Sequence, residues 1–174
     1  MRLNIRQVIY AGLLIAISII LERLGAVMVG NSIRLSFGNV PIYIGGILLG
    51  PVAGGAVGAV SDLLGYLINS FGGAFIPQIF LASVMRGVIP GLVFFKMKGT
   101  NLHVKVLVAI ILTEFVAGVI LTTWGLSWLF DTPFMVLLPP RLVALVVQVP
   151  VYAIVTITLA ERLRGFVRIY PLPR

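Results

Sequence analysis

Three ionisable side chains, Asp62, Arg86 and Glu114, fall inside long apolar runs of this sequence. A charge within a bilayer is costly, so such groups normally face the protein interior and pair with one another. An ion pair between Arg86 and one of the two acids is therefore one interpretation. Because there are two acids and only one base, the other interpretation is that a carboxylate keeps spare acceptor capacity for a bound ligand.

Two arginines, Arg34 and Arg141, stand at the predicted outer ends of apolar runs. A guanidinium there suits the carboxylate or phosphate of an entering ligand, because it donates two parallel hydrogen bonds. An arginine that extends toward lipid headgroups is the equally economical alternative. The sequence leaves both open.

Aromatic and neutral polar residues complete the candidate binding set. Trp124 and Trp128 lie one helical turn apart, which is common at a membrane interface. With Phe37 and Phe75 across the same rim, they are also candidates to stack on a flat ring. The neutral polar candidates are Asn39, Asn69, Gln78 and Gln148.

The motifs that the sequence lacks argue against an enzyme. It has no phosphate-binding Gly-x-x-x-x-Gly-Lys-Ser/Thr loop, no cysteine, and a single histidine, His103. The sequence therefore lacks the loop at which ATP would be hydrolysed. It also lacks residues needed for a Ser/His protease pair or a histidine metal cluster. We expect no catalytic residue, no metal and no cofactor.

Composition predicts an integral membrane protein. The chain of 174 residues is 60% hydrophobic and only 10% charged, against roughly 25% charged residues in ordinary soluble domains. The mean hydropathy is +1.14. We interpret the whole chain, residues 1–174, as one membrane domain, and the net charge of +8 as a positive membrane face beside anionic lipid.

Apolar runs of the length that crosses a bilayer predict an all-α bundle of six transmembrane helices. The predicted spans are 7–24, 38–49, 51–69, 76–95, 103–126 and 141–161. Most Lys and Arg residues flank these runs on one predicted side: Arg2, Arg6, Lys96, Lys98, Lys105, Arg162, Arg164, Arg168 and Arg174. By the positive-inside rule, that side and both termini are cytoplasmic.

The second span is too short to cross the bilayer. Twelve residues at 1.5 Å each reach only about 18 Å, so this helix should end below the outer surface. A short interrupted span points to a binding site, although a plain loop entering a helix is the alternative. Its leading segment runs from Arg34 to Pro41.

Small residues occur at four-residue spacing in two spans. Gly54 and Gly58 lie in the third, and Gly12 and Ala16 in the first. Such faces let helix backbones approach closely in lipid. For Gly12 and Ala16 the spacing serves either packing within the bundle or docking of a partner subunit.

Several segments together resemble the substrate-binding S components of energy-coupling factor (ECF) vitamin transporters. The first is the helix from Gly12 to Arg23, where Gly12 stands in place of the alanine that opens an Ala-x-x-x-Ala motif. The others resemble the folate-type branch: residues 33–41, the Gly-Pro-Val-Ala-Gly-Gly stretch at 50–55, 61–65 and 132–141. The likeness covers nearly the whole chain.

The resemblance implies a vitamin-binding subunit of an ABC importer in the plasma membrane of a prokaryote. Its expected partners are a transmembrane coupling subunit (EcfT) and two cytosolic ATPases, with Gly12 and Ala16 at the coupling-subunit contact. Folate would place its pterin near Asp62 or Glu114, stack on Trp124 or Trp128, and hold its glutamate tail at Arg34 and Arg141.

Other ligands and classes stay open. The same segments also resemble those of carriers for pantothenate and for pyridoxine or hydroxymethylpyrimidine. Two other functional classes are a self-sufficient secondary carrier and an intramembrane enzyme. The chain's small size and lack of an internal repeat weigh against a carrier.

Overall fold

The fold is a bundle of helices with one short hairpin, seen in a computed structural model that describes residues 5–24, 26–29, 33–68, 75–97 and 99–163. Leu24 and residues 26–29 and 33–35 are described by their backbone alone. The helices are α1 (Ile5–Leu24), α2 (Asn39–Leu49), α3 (Pro51–Ile68), α4 (Pro77–Lys96), α5 (Leu102–Thr113), a π-helix (Glu114–Leu121), α6 (Thr122–Phe130) and α7 (Phe134–Leu163). The predicted helical membrane fold is confirmed.

Five of the helical stretches in the described part of the chain are long and apolar enough to cross a membrane. One of them is continuous from Leu102 to Phe130 and comprises α5, the π-helix and α6. The helix α2 has only 11 residues, and every residue from Val40 to Leu49 is buried. This short helix therefore forms the centre of the bundle and is surrounded by the longer ones.

Two local features differ from the sequence-based expectation. The connection between α1 and α2 contains an antiparallel hairpin of β1 (Ala26–Val29) and β2 (Ile33–Ser36), which pairs Ala26 with Ser36. The last helix begins at Phe134, seven residues before the predicted start, and therefore includes Pro139 and Pro140. The prolines remove two helical hydrogen bonds, and the carbonyls that lose them belong to the exposed first turns of α7.

Glycines allow α2, α3 and α4 to touch backbone to backbone. A Cβ atom placed on Gly87 of α4 would lie 1.9 Å from the carbonyl oxygen of Gly54 in α3. One placed on Gly46 of α2 would lie 2.2 Å from the carbonyl oxygen of Gly87. In lipid, such close backbone approach replaces the hydrophobic drive for helix packing. Gly50, with φ of 90°, makes the tight turn between α2 and α3.

Candidate binding site

A half-open cavity of about 260 Å³ lies between the end of α1, the start of α2, the middle of α4, the π-helix and α7. Nine of the residues around it carry polar or charged side chains. Those nine are Glu22, Ser36, Asn39, Arg86, Glu114, Thr122, Arg141, Gln148 and Tyr152. A concave site with several convergent polar groups is typical of a small-molecule pocket.

The helix α7 contributes one continuous face to the cavity. Arg141, Ala144, Leu145, Gln148 and Tyr152 all line it. The other four stand three, four, seven and eleven residues after Arg141, a spacing that places them on one side of an α-helix. This face presents the guanidinium of Arg141, an amide and a phenol in order along the helix.

The π-helix forms another part of the cavity wall, where Glu114, Gly118 and Val119 line the cavity, followed by Thr122 at the start of α6. Its wider turn is uncommon and occurs frequently at functional sites. Glu114 is only 2% exposed, and its side chain lies over Gly118, since a Cβ atom there would be 2.6 Å from Oε2. The absence of a side chain at Gly118 therefore makes room for this carboxylate.

A buried polar group joins α2, α4 and the π-helix at the cavity. Tyr43 donates a hydrogen bond from its hydroxyl to Oε1 of Glu114. The Nε atom of Arg86 lies 3.8 Å from the same oxygen, an ion pair without a hydrogen bond. Arg141 is close enough to interact electrostatically with Arg86. In a medium of low dielectric constant these charges act strongly on any ligand that displaces water.

Tyr152 connects the hairpin to the cavity wall. Its hydroxyl accepts a hydrogen bond of 3.2 Å from the backbone N–H of Ser36, and it also interacts with the side chain of Asn39. Its ring packs edge-on against Tyr43, with the ring centroids 5.9 Å apart. These contacts hold the end of β2 and the start of α2 against α7.

Four of the ligand-binding candidates chosen from the sequence line this cavity together: Asn39, Glu114, Arg141 and Gln148. The question of which acid meets Arg86 is answered by geometry, because Glu114 makes the ion pair. Asp62 lies outside the lining and accepts a hydrogen bond of 2.9 Å from Ser83.

The aromatic candidates lie away from the cavity lining. Trp124 and Trp128 are 54% and 66% exposed on α6. Phe75 packs against Tyr66 and Phe80. Phe37 and Gln78 also do not line the cavity, while Asn69 and the side chain of Arg34 lie outside the described part of the structure.

The ligand-binding candidates chosen from the sequence omitted several lining residues, among them Glu22, Ser36, Arg86, Thr122 and Tyr152. Arg86 had been considered only as the ion-pair partner of an acid. One signal for Tyr152 was present, because it follows Gln148 by four residues and Arg141 by eleven, a spacing that returns to the same helical face. No comparable signal exists for Ser36 or Thr122, since their position depends on how the hairpin and the π-helix pack.

Gly12 and Ala16 are both exposed on α1. A Cβ atom added to Gly12 would meet no heavy atom within 4 Å. Both residues therefore lie on an exposed face of α1, and docking of a partner subunit there stays a prediction. Among the described residues, no group of three or more His, Cys, Asp or Glu side chains is placed to hold a metal ion.

Comparisons with known proteins agree on one family. The sequence model described as the ECF-type riboflavin transporter, S component, matches residues 2–165. The folate transporter FolT of Clostridium novyi (strain NT) is 33% identical over 152 residues, which are 87% of this chain and 86% of that protein.

Solved structures are also similar to this chain. A crystal structure of FolT bound with folic acid has a TM-score of 0.76 and 27% identity, covering 91% of this chain and 95% of that one. The S-component for biotin from an ECF-type ABC transporter superimposes with a TM-score of 0.75 over 95% of both chains, at 22% identity. At 22% identity, the similarity to the S-component for biotin concerns the fold alone.

Proposed function

Because this chain belongs to the S-component family of ECF-type transporters, we propose that its cavity captures a folate-type vitamin from the extracellular side. The observation that carries the proposal is Arg141, a cation that lines the cavity beside the buried Arg86–Glu114 pair. Folate has an anionic glutamate tail and a neutral pterin ring. The anionic tail matches the guanidinium of Arg141, and the neutral ring matches the charge-balanced pair of Arg86 and Glu114.

The distribution of charge along the helices supports entry from outside. Lys96 ends α4, Lys105 lies near the start of α5 and Arg162 near the end of α7. The cavity instead lies toward the end of α1 and the start of α2. If the cationic end is cytoplasmic, as the positive-inside rule requires, the cavity opens to the exterior of the plasma membrane and the termini are inside.

The partners that we propose are a transmembrane coupling subunit, EcfT, and two cytosolic ATPases. The family describes a transporter component and not an enzyme. Exposed small residues at Gly12 and Ala16 offer a face for a partner helix. Riboflavin is a second candidate ligand, favoured by the description of the matching family.

Replacing Arg141 with alanine should weaken folate binding by about 100-fold, because the glutamate tail loses a charge-assisted hydrogen bond worth about 1.5–3 kcal/mol. A tail-less pterin such as 6-methylpterin should lose less than about threefold. Calorimetric titration of the purified protein in lipid nanodiscs measures both. Arg162→Ala, at the other end of α7, is the control and should change neither; equal losses of both ligands in Arg141→Ala would remove the assignment.

The exposed tryptophans should matter little for the ligand. Trp124→Leu and Trp128→Leu should each leave folate affinity within about twofold, because neither ring lines the cavity. Tyr152→Leu, a cavity-lining change of similar kind, should weaken it clearly. The same titrations compare the three variants, and a loss of tenfold or more in either tryptophan variant would restore the stacking role predicted from the sequence.

A further inference from the structure

We propose that the Arg86–Glu114 pair determines ligand specificity by hydrogen-bonding to a cyclic amide of the ligand. On this amide edge, a ring N–H donor stands beside a C=O acceptor. Tyr43 is the positioning residue for the carboxylate. This inference rests on the proposed vitamin-binding function and deepens it by naming the chemical edge that the buried end of the cavity recognises.

The guanidinium of Arg86 has hydrogen-bonding capacity that the surrounding protein does not use. Its side chain is only 13% exposed, and Nε makes no hydrogen bond within the described part of the chain. The distance of 3.8 Å to Oε1 of Glu114 is too long for a hydrogen bond. A buried donor without a partner is unfavourable. Arg86 also lines the cavity, so a ligand acceptor bound there can pair with its guanidinium.

Glu114 supplies the complementary acceptor. Its Oε1 atom already accepts the hydroxyl hydrogen of Tyr43 and faces Arg86. Its Oε2 atom lies over Gly118, a glycine that itself lines the cavity. Oε2 is therefore the oxygen available to a ligand N–H, and Tyr43, which is fully buried, keeps the carboxylate in this orientation.

Charge balance selects a neutral ring over an ion at this place. The carboxylate of Glu114 compensates the charge of Arg86, so a ligand carboxylate would meet repulsion from Glu114 and a ligand ammonium would meet repulsion from Arg86. A cyclic amide satisfies both groups and adds no charge. The rings of pterins and flavins carry such an edge, whereas pantothenate has no ring.

The unmodified protein provides the first test. Aminopterin keeps the tail of folate but replaces the 4-oxo acceptor with an amino group. We expect folate to bind at least about tenfold more tightly than aminopterin, because a site built to hydrogen-bond a group rejects the analogue that lacks it. Equal affinities would overturn the inference without any variant.

The variant test removes both charges together. The double variant Arg86→Gln, Glu114→Gln should weaken folate binding about 100-fold and bring the ratio of folate to aminopterin affinity close to one. The affinity for p-aminobenzoylglutamate, which keeps the tail without the pterin, should stay within about threefold. Tyr43→Phe, which removes the hydroxyl that positions the carboxylate, should lower the same ratio. The control is His103→Gln, Glu161→Gln, which removes an exposed pair at the other end, 3.1 Å apart. An unchanged ratio in the Arg86, Glu114 variant would overturn the inference.

Failure of the folate proposal has a different signature. If the protein binds riboflavin and no pterin, and the double variant abolishes that binding, then folate is the wrong vitamin and the amide-edge inference stands. If the protein binds pantothenate more tightly than either ring compound, the inference itself is overturned.

Discussion

Replacement of Gly87 with alanine should destabilise the folded protein by about 3 kcal/mol, the upper end of the usual cost of overpacking, or by more. The added methyl group would lie 1.9 Å from the carbonyl oxygen of Gly54 and 2.2 Å from its carbon. Both atoms belong to helix backbone, so no side chain can move aside. The helices α3 and α4 would have to separate, and Gly87→Leu should give no folded protein.

Thermal unfolding in detergent, followed by circular dichroism, measures the effect. Gly12→Ala is the matched control, because Gly12 also lies within a helix but has open space where the Cβ atom would be. Both substitutions gain the same helix propensity of about 1 kcal/mol. An equal melting temperature for Gly87→Ala and the parent protein would contradict the backbone contact.

Uptake by the complete transporter should fall by at least about tenfold when Gly12 and Ala16 are both replaced with leucine. In the docking that we propose, a partner helix approaches α1 closely over these exposed small residues, and two leucines would hold it away. Vitamin binding to the purified chain should stay within about twofold, because neither residue lines the cavity. This result separates docking of the proposed coupling subunit from ligand capture.

Cellular vitamin uptake and calorimetric binding provide the two measurements. Ala56→Leu is a suitable control, since Ala56 is an exposed small residue on a different helix, α3. Unchanged uptake in the Gly12, Ala16 variant would argue against docking at α1. An equal loss in Ala56→Leu would instead indicate a general effect of bulk at the lipid-facing surface.

The sequence predicted more of the helices than of the site. The short buried helix α2 follows from a run of apolar residues that ends at Gly50-Pro51, a local signal of length and turn chemistry. The π-helix carries no such signal, because Glu114–Leu121 has the apolar composition of an ordinary span. Its altered turn is visible only when the backbone hydrogen bonds are known.

The site residues were hard to predict mainly because the sequence does not give the direction in which a side chain points. Trp124 and Trp128 occur at a spacing that suits a stacking platform, and yet α6 turns both rings outward. Asp62 and Glu114 were equivalent candidates in the sequence, but only Glu114 reaches the cavity. In a membrane helix the faces toward lipid and toward neighbouring helices are both apolar, so periodicity alone does not separate them.

The sequence by itself determined that this protein lies in a membrane, that its spans are helical, and that its segments resemble one transporter family. Hydropathy and motif identity are local properties, which is why they can be read without coordinates. Only the tertiary structure decided that Arg86 meets Glu114 and that α7 turns Arg141 toward the same cavity. Those contacts join residues far apart in the chain, and they depend on helix packing that glycine contacts between α2, α3 and α4 set.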